Sequence, residues 1–277
     1  CTRRAARAAL DCTWRGPGPI PFIPVVLGGD DLTILCDGGK AVDFTVAFLR
    51  AFEMETADHK DVIAVAKNGL SACAGIAIVK PHFPFHRAYE LAESLIKEAK
   101  TVKEHASPCS AFDFQVLFDT SGADLEPIRE RMCAVEVANA RLTFRPYVVT
   151  PQNGKGHSNP QKSDSKKWLG QHDVERLRAA TNPLKKPPED EDGREREKLL
   201  PRTQQHALRE AIHISPEIAD ARLAEIKHRY KFPWDKLFHG GQSLFLDAET
   251  DENGVLIKRT YLLDALDLVD LDKEAGQ

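Results

Sequence analysis

Between Pro21 and Cys36 two apolar runs, PFIPVVL and LTILC, flank the four residues Gly28-Gly29-Asp30-Asp31. A palm-type nucleotidyl transfer uses such a pattern. Two acidic groups at a strand edge hold divalent cations, which neutralise a triphosphate and lower the cost of presenting a hydroxyl as nucleophile. Asp30 and Asp31 are therefore the candidate catalytic and metal-binding pair. Gly28 and Gly29 allow a tight turn with positive φ and leave room for a nucleotide to approach the backbone. The same four residues also make a good hairpin turn with no chemistry attached, so the elements around them must decide between the two readings.

The two apolar runs read as buried strands of a hairpin. Beyond Asp37-Gly38-Gly39 a helix is predicted from about Ala41 to Glu55, with Phe44, Phe48 and Phe52 recurring along one face. Leu70 to Val79 reads as a small-residue strand, and Pro81 to Pro84 break the chain. From Phe85 to about Lys103 the apolar stripe Phe85, Ala88, Leu91, Ala92, Leu95, Ile96, Ala99 and Val102 marks an amphipathic helix. A strand at Ala111 to Phe118, a helix from Leu125 to about Cys133 and a short strand near Leu142 to Val149 complete the first half. With one strand ahead of Cys1, this order is the β-α-β-β-α-β unit of ferredoxin-like folds. The expected fold class is thus α/β of the α+β kind: a ferredoxin-like palm with an antiparallel sheet and packed helices.

In that topology the amphipathic helix runs back toward the Gly-Gly-Asp-Asp end of the sheet. At about 1.5 Å per residue, Lys100 lies roughly 22 Å along it, about the height of a sheet. Lys97 and Lys100 are candidates to contact phosphate, the alternative being a solvated face with cations favoured at a helix C-terminus. Asp37, on the order of 20 Å from Asp31 along an extended strand, is left outside the site. His82 and His86 sit in a Pro-aromatic corner at the opposite end and are read as structural or surface residues.

Length and composition bound the rest. A chain of 277 residues suits a core domain plus an appendage, and a net charge of -4 with pI near 6.2 argues against a generally basic, nucleic-acid-coating surface. No run approaches a membrane span, and no signal peptide is recognisable. Six scattered cysteines without a C-x-x-C pair suggest a reducing, cytoplasmic setting and no structural zinc. Residues 1 to 10 read like the tail of an Ala-rich helix, with the natural N-terminus expected upstream. The palm is expected over 1–150, a Gly, Asn, Ser, Lys and Gln-rich linker over 151–167, and a mostly helical C-terminal region over 168–277. That region is expected to hold helices at 168–180 and 201–229, a mobile charged loop near 183–198 and a hairpin-like pair at 243–247 and 255–261.

The segments VVLGGDDLTILC, SACAGIAIVKPHFPFHRAYELAESLIKEAK and SAFDFQVLFD together resemble the second palm domain of the large polymerase-cyclase subunit of type III CRISPR effector complexes. The resemblance runs from about Pro21 to Phe118, and the family is similar in fold to GGDEF cyclases. It implies that Asp30 and Asp31 match the metal-binding pair, Gly28 and Gly29 the glycines that let nucleotide approach, and Lys100 a phosphate-contacting lysine. The implied activity is conversion of ATP into cyclic oligoadenylates, a second messenger of antiviral defence. The nuclease domain, first palm and zinc-binding segment of full-length subunits have no counterpart here, which implies a stand-alone or truncated relative. The first palm strand, carrying a further metal-binding acid in the family, would precede Cys1.

Two functions of different class follow. In the first, Mg²⁺ or Mn²⁺ held by Asp30, Asp31 and an upstream acid aligns the 3′-hydroxyl of one ATP with the α-phosphate of another. In the second, a catalytically silent palm binds nucleotide or a protein partner as a regulator or scaffold. A guanine-nucleotide cyclase is disfavoured, because the turn continues Asp-Asp-Leu and lacks the Glu-Phe ending. A second palm, by homodimerisation or through CRISPR effector subunits, is the partner expected by analogy.

Overall fold

The computed structural model describes residues 1–66, 69–106, 109–118, 124–135, 139–149, 165–185, 200–230, 243–250 and 253–274. They form two compact units, one of residues 1–125 and 145–174, the other of 126–144 and 175–277. The expected linker lies outside the described residues for 151–164, and the expected charged loop for 186–198.

The first unit opens with α1 (Thr2–Thr13), followed by β1 (Phe22–Gly28) and β2 (Asp31–Cys36), an antiparallel ribbon. Helix α2 (Gly38–Ala57) starts earlier than its apolar pattern suggests, because the Asp37 carboxylate accepts a bond from the Gly39 amide at 2.9 Å and caps it. The short α3 (Lys60–Val65) leads to β3 (Cys73–Ile78), then α4 (Phe85–Lys100) and β4 (Ala111–Val116).

Strands β3 and β4 run parallel, where an antiparallel sheet was expected, since a helical crossover between sheet neighbours returns the chain in the same direction. Gly75 lets α4 settle onto this pair: a Cβ there would overlap the Ala92 carbonyl oxygen. Every residue of β4 is buried. The strand expected near 142–149 is confined in this unit to β7 (Tyr147–Val148), antiparallel to β4, with Tyr147 stacked near Phe112 and Phe114. Helix α6 (Ser165–Gln171) closes the edge by placing Trp168 between His105 and His172, at ring separations of 3.9 and 3.7 Å.

The ribbon departs most from expectation. Its strands read as buried, yet in β1 only Phe22 is. Phe22 joins Ala9 and Phe44 in a small core, with Ile34 and Cys36 packed against it, so α1 and α2 cover one ribbon face. No described strand pairs with the ribbon at either edge.

The second unit contains α5 (Leu125–Cys133, entered from Leu125), β5 (Ala134–Val135) and β6 (Ala140–Arg141). From Glu175, α7 (Val174–Thr181) belongs to it, with α8 (Arg202–Ile212), α9 (Pro216–Arg229), β8 (Leu246–Thr250), β9 (Leu256–Arg259) and α10 (Leu262–Glu274). The sheet order is β5-β6-β9-β8. The hairpin-like pair expected near 243–261 is β8–β9, its first strand set three residues later. Arg259 fastens this sheet, donating to Glu249 at 2.6 Å and to the Thr143 carbonyl at 3.1 Å. The whole is a mixed α+β fold with small sheets and packed helices. Among the described residues no helix is long and apolar enough to cross a membrane.

Candidate functional site

The tip of the β1–β2 ribbon is a two-residue turn. Gly28 and Asp31 are its closing pair, Gly29 takes φ +61°, and Asp30 stays at negative φ, the pattern of a type II′ turn. Gly29 is needed for that dihedral. Gly28 has a different character: a Cβ there would meet nothing within 4 Å, as is also true at Gly29, so the backbone face of the turn is open. Asp30 and Asp31 are both exposed, on adjoining residues at the strand edge.

Three contacts fix what stands beside the turn. The Thr2 hydroxyl donates to the Gly29 carbonyl at 2.9 Å, which pins the first turn of α1 against the hairpin tip. The Cys1 thiol lies 3.7 Å from the Glu55 carbonyl, and Arg4 pairs with the Glu55 carboxylate at 2.8 Å, so the end of α2 is tied to the same place. Glu53 accepts from the Ser110 amide at 3.1 Å, just before β4. The Thr56 hydroxyl bonds both the amide and the carbonyl of Leu70, just before β3.

Lys97 and Lys100 occupy the exposed last turn of α4. The Cys73 thiol at the start of β3 lies 3.7 Å from the carbonyl of Ala99, the residue before Lys100; burial raises this thiol above its ordinary value, and Lys103 and Lys100 pull it part of the way back. The structure thus groups Gly28, Gly29, Asp30 and Asp31 in one turn and sets the two lysines at the end of α4. Among the described residues no hydrogen bond or ion pair joins either lysine to Asp30 or Asp31. His82 lies at the exposed corner between β3 and α4, and His86 in the exposed first turn of α4.

Among the described residues no three His, Cys, Asp or Glu side chains converge as a closed metal cage. Two adjoining exposed carboxylates suit a hard cation such as Mg²⁺, which keeps several waters and is commonly bound through one or two carboxylates plus substrate phosphates. The donor set therefore fits an open, substrate-completed metal site.

Residues 21–107 match the family model for the second palm domain of Cas10/Cmr2. This segment is a relative of the type III CRISPR large-subunit palm domain. The match takes in the ribbon, its Gly-Gly-Asp-Asp turn, α2, β3 and α4, so both the carboxylate pair and the two lysines fall inside the palm. No curated protein matches the chain.

Sequence reasoning missed Thr2, Glu53 and Glu55. A Thr in the first turn of an Ala-rich helix carries no local sign of a partner 27 residues away, and nothing in the Phe44, Phe48, Phe52 period of α2 marks the two glutamates.

Proposed function

We propose that this palm is a metal-dependent nucleotidyltransferase that joins ATP molecules into cyclic oligoadenylate-type signals, in the cytoplasm and in association with CRISPR effector subunits in antiviral defence. The observation that carries the reading is the open turn, where two glycines without side-chain cover precede two exposed carboxylates inside the palm match. Asp30 and Asp31 would hold Mg²⁺ or Mn²⁺, which would neutralise triphosphate charge and favour ionisation of the attacking hydroxyl. The open backbone at Gly28 and Gly29 admits the nucleotide, and Lys97 and Lys100 offer positive charge for its phosphates. The 3′-hydroxyl of one ATP attacks the α-phosphate of another, the new P–O bond forms as the bond to pyrophosphate breaks, and the hydroxyl proton passes to water.

A second reading, a silent palm that binds nucleotide as a regulator or scaffold, is favoured by one observation. Among the described residues only two acids adjoin at the turn, and no third ligand converges on them.

The test is incubation with labelled ATP, or GTP in parallel, and Mg²⁺ or Mn²⁺, beside an Asp30→Ala/Asp31→Ala variant, with products separated by chromatography. Pyrophosphate release and oligonucleotide products from the parent alone are expected. Metal-dependent binding without turnover, lost in the variant, assigns the regulator; no binding at all overturns the enzyme and the regulator and leaves only the scaffold.

A further inference from the structure

Five lysines collect where the end of α4 meets α6. Lys97 and Lys100 lie in the last turn of α4, Lys103 in the single 3₁₀ turn Thr101–Glu104 that follows it, and Lys166 and Lys167 in the first turn of α6; all five are exposed. Packing holds the two segments together. Trp168 and Leu169 lie against Val102 and Ala111, and the Trp168 ring stacks on His105 at 3.9 Å. Ser165 and His172 are buried on the same side of α6 as Trp168, which leaves Lys166 and Lys167 on its outer side.

None of the five lysines enters an ion pair among the described residues. Of the three acids in the same two stretches, Glu98 and Asp173 are engaged by partners, which leaves Glu104 alone to offset five cations. In a chain of net charge -4, this is a local reversal of sign. Helix electrostatics accounts for Lys97 and Lys100 at a C-terminus, but positive charge is disfavoured in a first turn, where Lys166 and Lys167 stand. The helices alone therefore do not explain the cluster.

The chemistry of the surface narrows its partner. No large hydrophobic residue in 97–106 or 165–174 is exposed. A membrane surface takes inserted apolar side chains, and a protein partner takes an apolar centre from which water is excluded. A phosphodiester chain needs neither, because cations set against successive phosphates supply most of its affinity. His105, half-buried and held flat by Trp168, adds a ring against which an unstacked base can lie, and that selects a single strand over a duplex.

We propose that this lysine cluster is a docking surface for a single-stranded nucleic acid, with Lys103, Lys166 and Lys167 on its phosphates and His105 beneath one base. Lys97 and Lys100, assigned above to nucleotide phosphates, border the surface. Lys103, Lys166 and Lys167 have no part in that assignment, and the last two lie beyond the stretch that matches the palm family, so the surface does not depend on the nucleotidyltransferase reading.

Fluorescence anisotropy with a labelled single-stranded RNA of about 12 nucleotides, in EDTA and without ATP, compares the parent with Lys103→Gln/Lys166→Gln/Lys167→Gln. The triple variant is expected to bind at least about tenfold more weakly and to lose about 2 from the slope of log affinity against log salt, at about 0.7 per phosphate contact. His105→Ala is expected to weaken binding about fivefold with the slope unchanged, and His105→Phe, which keeps a ring, to retain the affinity. Lys60→Gln/Lys80→Gln removes two exposed lysines elsewhere in the same unit and is expected to leave binding unchanged. No loss in the triple variant, or an equal loss in the Lys60 and Lys80 variant, overturns the surface. Duplex RNA bound as tightly as the single strand overturns the assigned occupant, as does cosedimentation with phosphatidylserine vesicles that the triple variant loses while RNA binding persists. A chain that makes no product from ATP yet shows the expected RNA pattern keeps the surface and loses only the cyclase reading.

Discussion

Gly75 of β3 sits directly beneath Ala92 of α4, so close that a Cβ on the glycine would overlap the alanine carbonyl oxygen and come within 2.9 Å of the Ile96 amide nitrogen. Both obstacles belong to helix backbone, which cannot swing aside as a side-chain tip can. Gly75→Ala is therefore expected to destabilise the first unit by about 1–3 kcal/mol through overpacking. Gly28→Ala, with open space around it, is expected to cost well under about 1 kcal/mol. Urea unfolding of the two variants beside the parent checks both, and equal losses would refute the contrast.

The Thr2 hydroxyl, donating to the Gly29 carbonyl, ties α1 to the turn that carries Asp30 and Asp31. Thr2→Val keeps the shape and removes the donor, at a cost of about 0.5–1.5 kcal/mol for an ordinary hydrogen bond. If the turn is the nucleotide site, Mg²⁺-dependent ATP affinity is expected to fall about two- to tenfold, with the unfolding midpoint lowered by only a few degrees. Isothermal titration reads the first and thermal unfolding the second.

What the sequence made legible was local. The amphipathic period of α4 and the glycine turn each have a cause within a few residues, and each is where the pattern put it, while the start of α2 came three residues early because Asp37 caps it. What it concealed depended on pairing between distant segments. Apolar content alone made β1 and β2 read as buried, because burial needs neighbours that a run of Val, Leu and Ile cannot name. The parallel β3–β4 pair was hidden behind the ferredoxin-like template, although the helix between the strands implied it. In the site, the four turn residues were legible because they are contiguous, while Thr2 and Glu55 reach the turn only through the packing of α1 on α2.

Thiol chemistry gives a sharper contrast with pH. Burial, helped by the nearby Asp37 charge, pushes the Cys36 thiol from 9.0 to about 11, and burial with the Glu53 charge pushes Cys109 to about 12. The thiolate is the reactive form, so both are expected to resist alkylation at pH 8 while exposed Cys12 reacts. The sign for stability follows from the same shifts. Unfolded thiols ionise from about pH 9, before the folded ones, so the contribution of these groups is complete below pH 9 and is lost as pH rises through about 11 to 12. Cys36→Ser and Cys109→Ser are expected to flatten that alkaline decline. Mass-mapped alkylation and unfolding between pH 8 and 11 check the two halves.

In the second unit, Arg209 on α8 spans two turns of α10, donating from Nη1 to Asp267 at 2.9 Å and from Nη2 to Asp270 at 3.1 Å. The Asp267 side chain is almost fully buried, so this is not a surface pair whose worth solvent would erase. Removing the guanidinium leaves a carboxylate in a site that water barely reaches, and Arg209→Ala is expected to cost about 3 kcal/mol. Arg209→Lys keeps the charge but not the planar fork, so it can satisfy one carboxylate well and the other poorly, and its loss should be intermediate. Replacing both partners of the deeper pair, Arg209→Leu with Asp267→Leu, removes the buried carboxylate as well and is expected to recover part of the loss. Urea unfolding of the three variants decides the case. A double variant no better than Arg209→Ala would mean that the fork contributes through geometry between α8 and α10, not through charge burial.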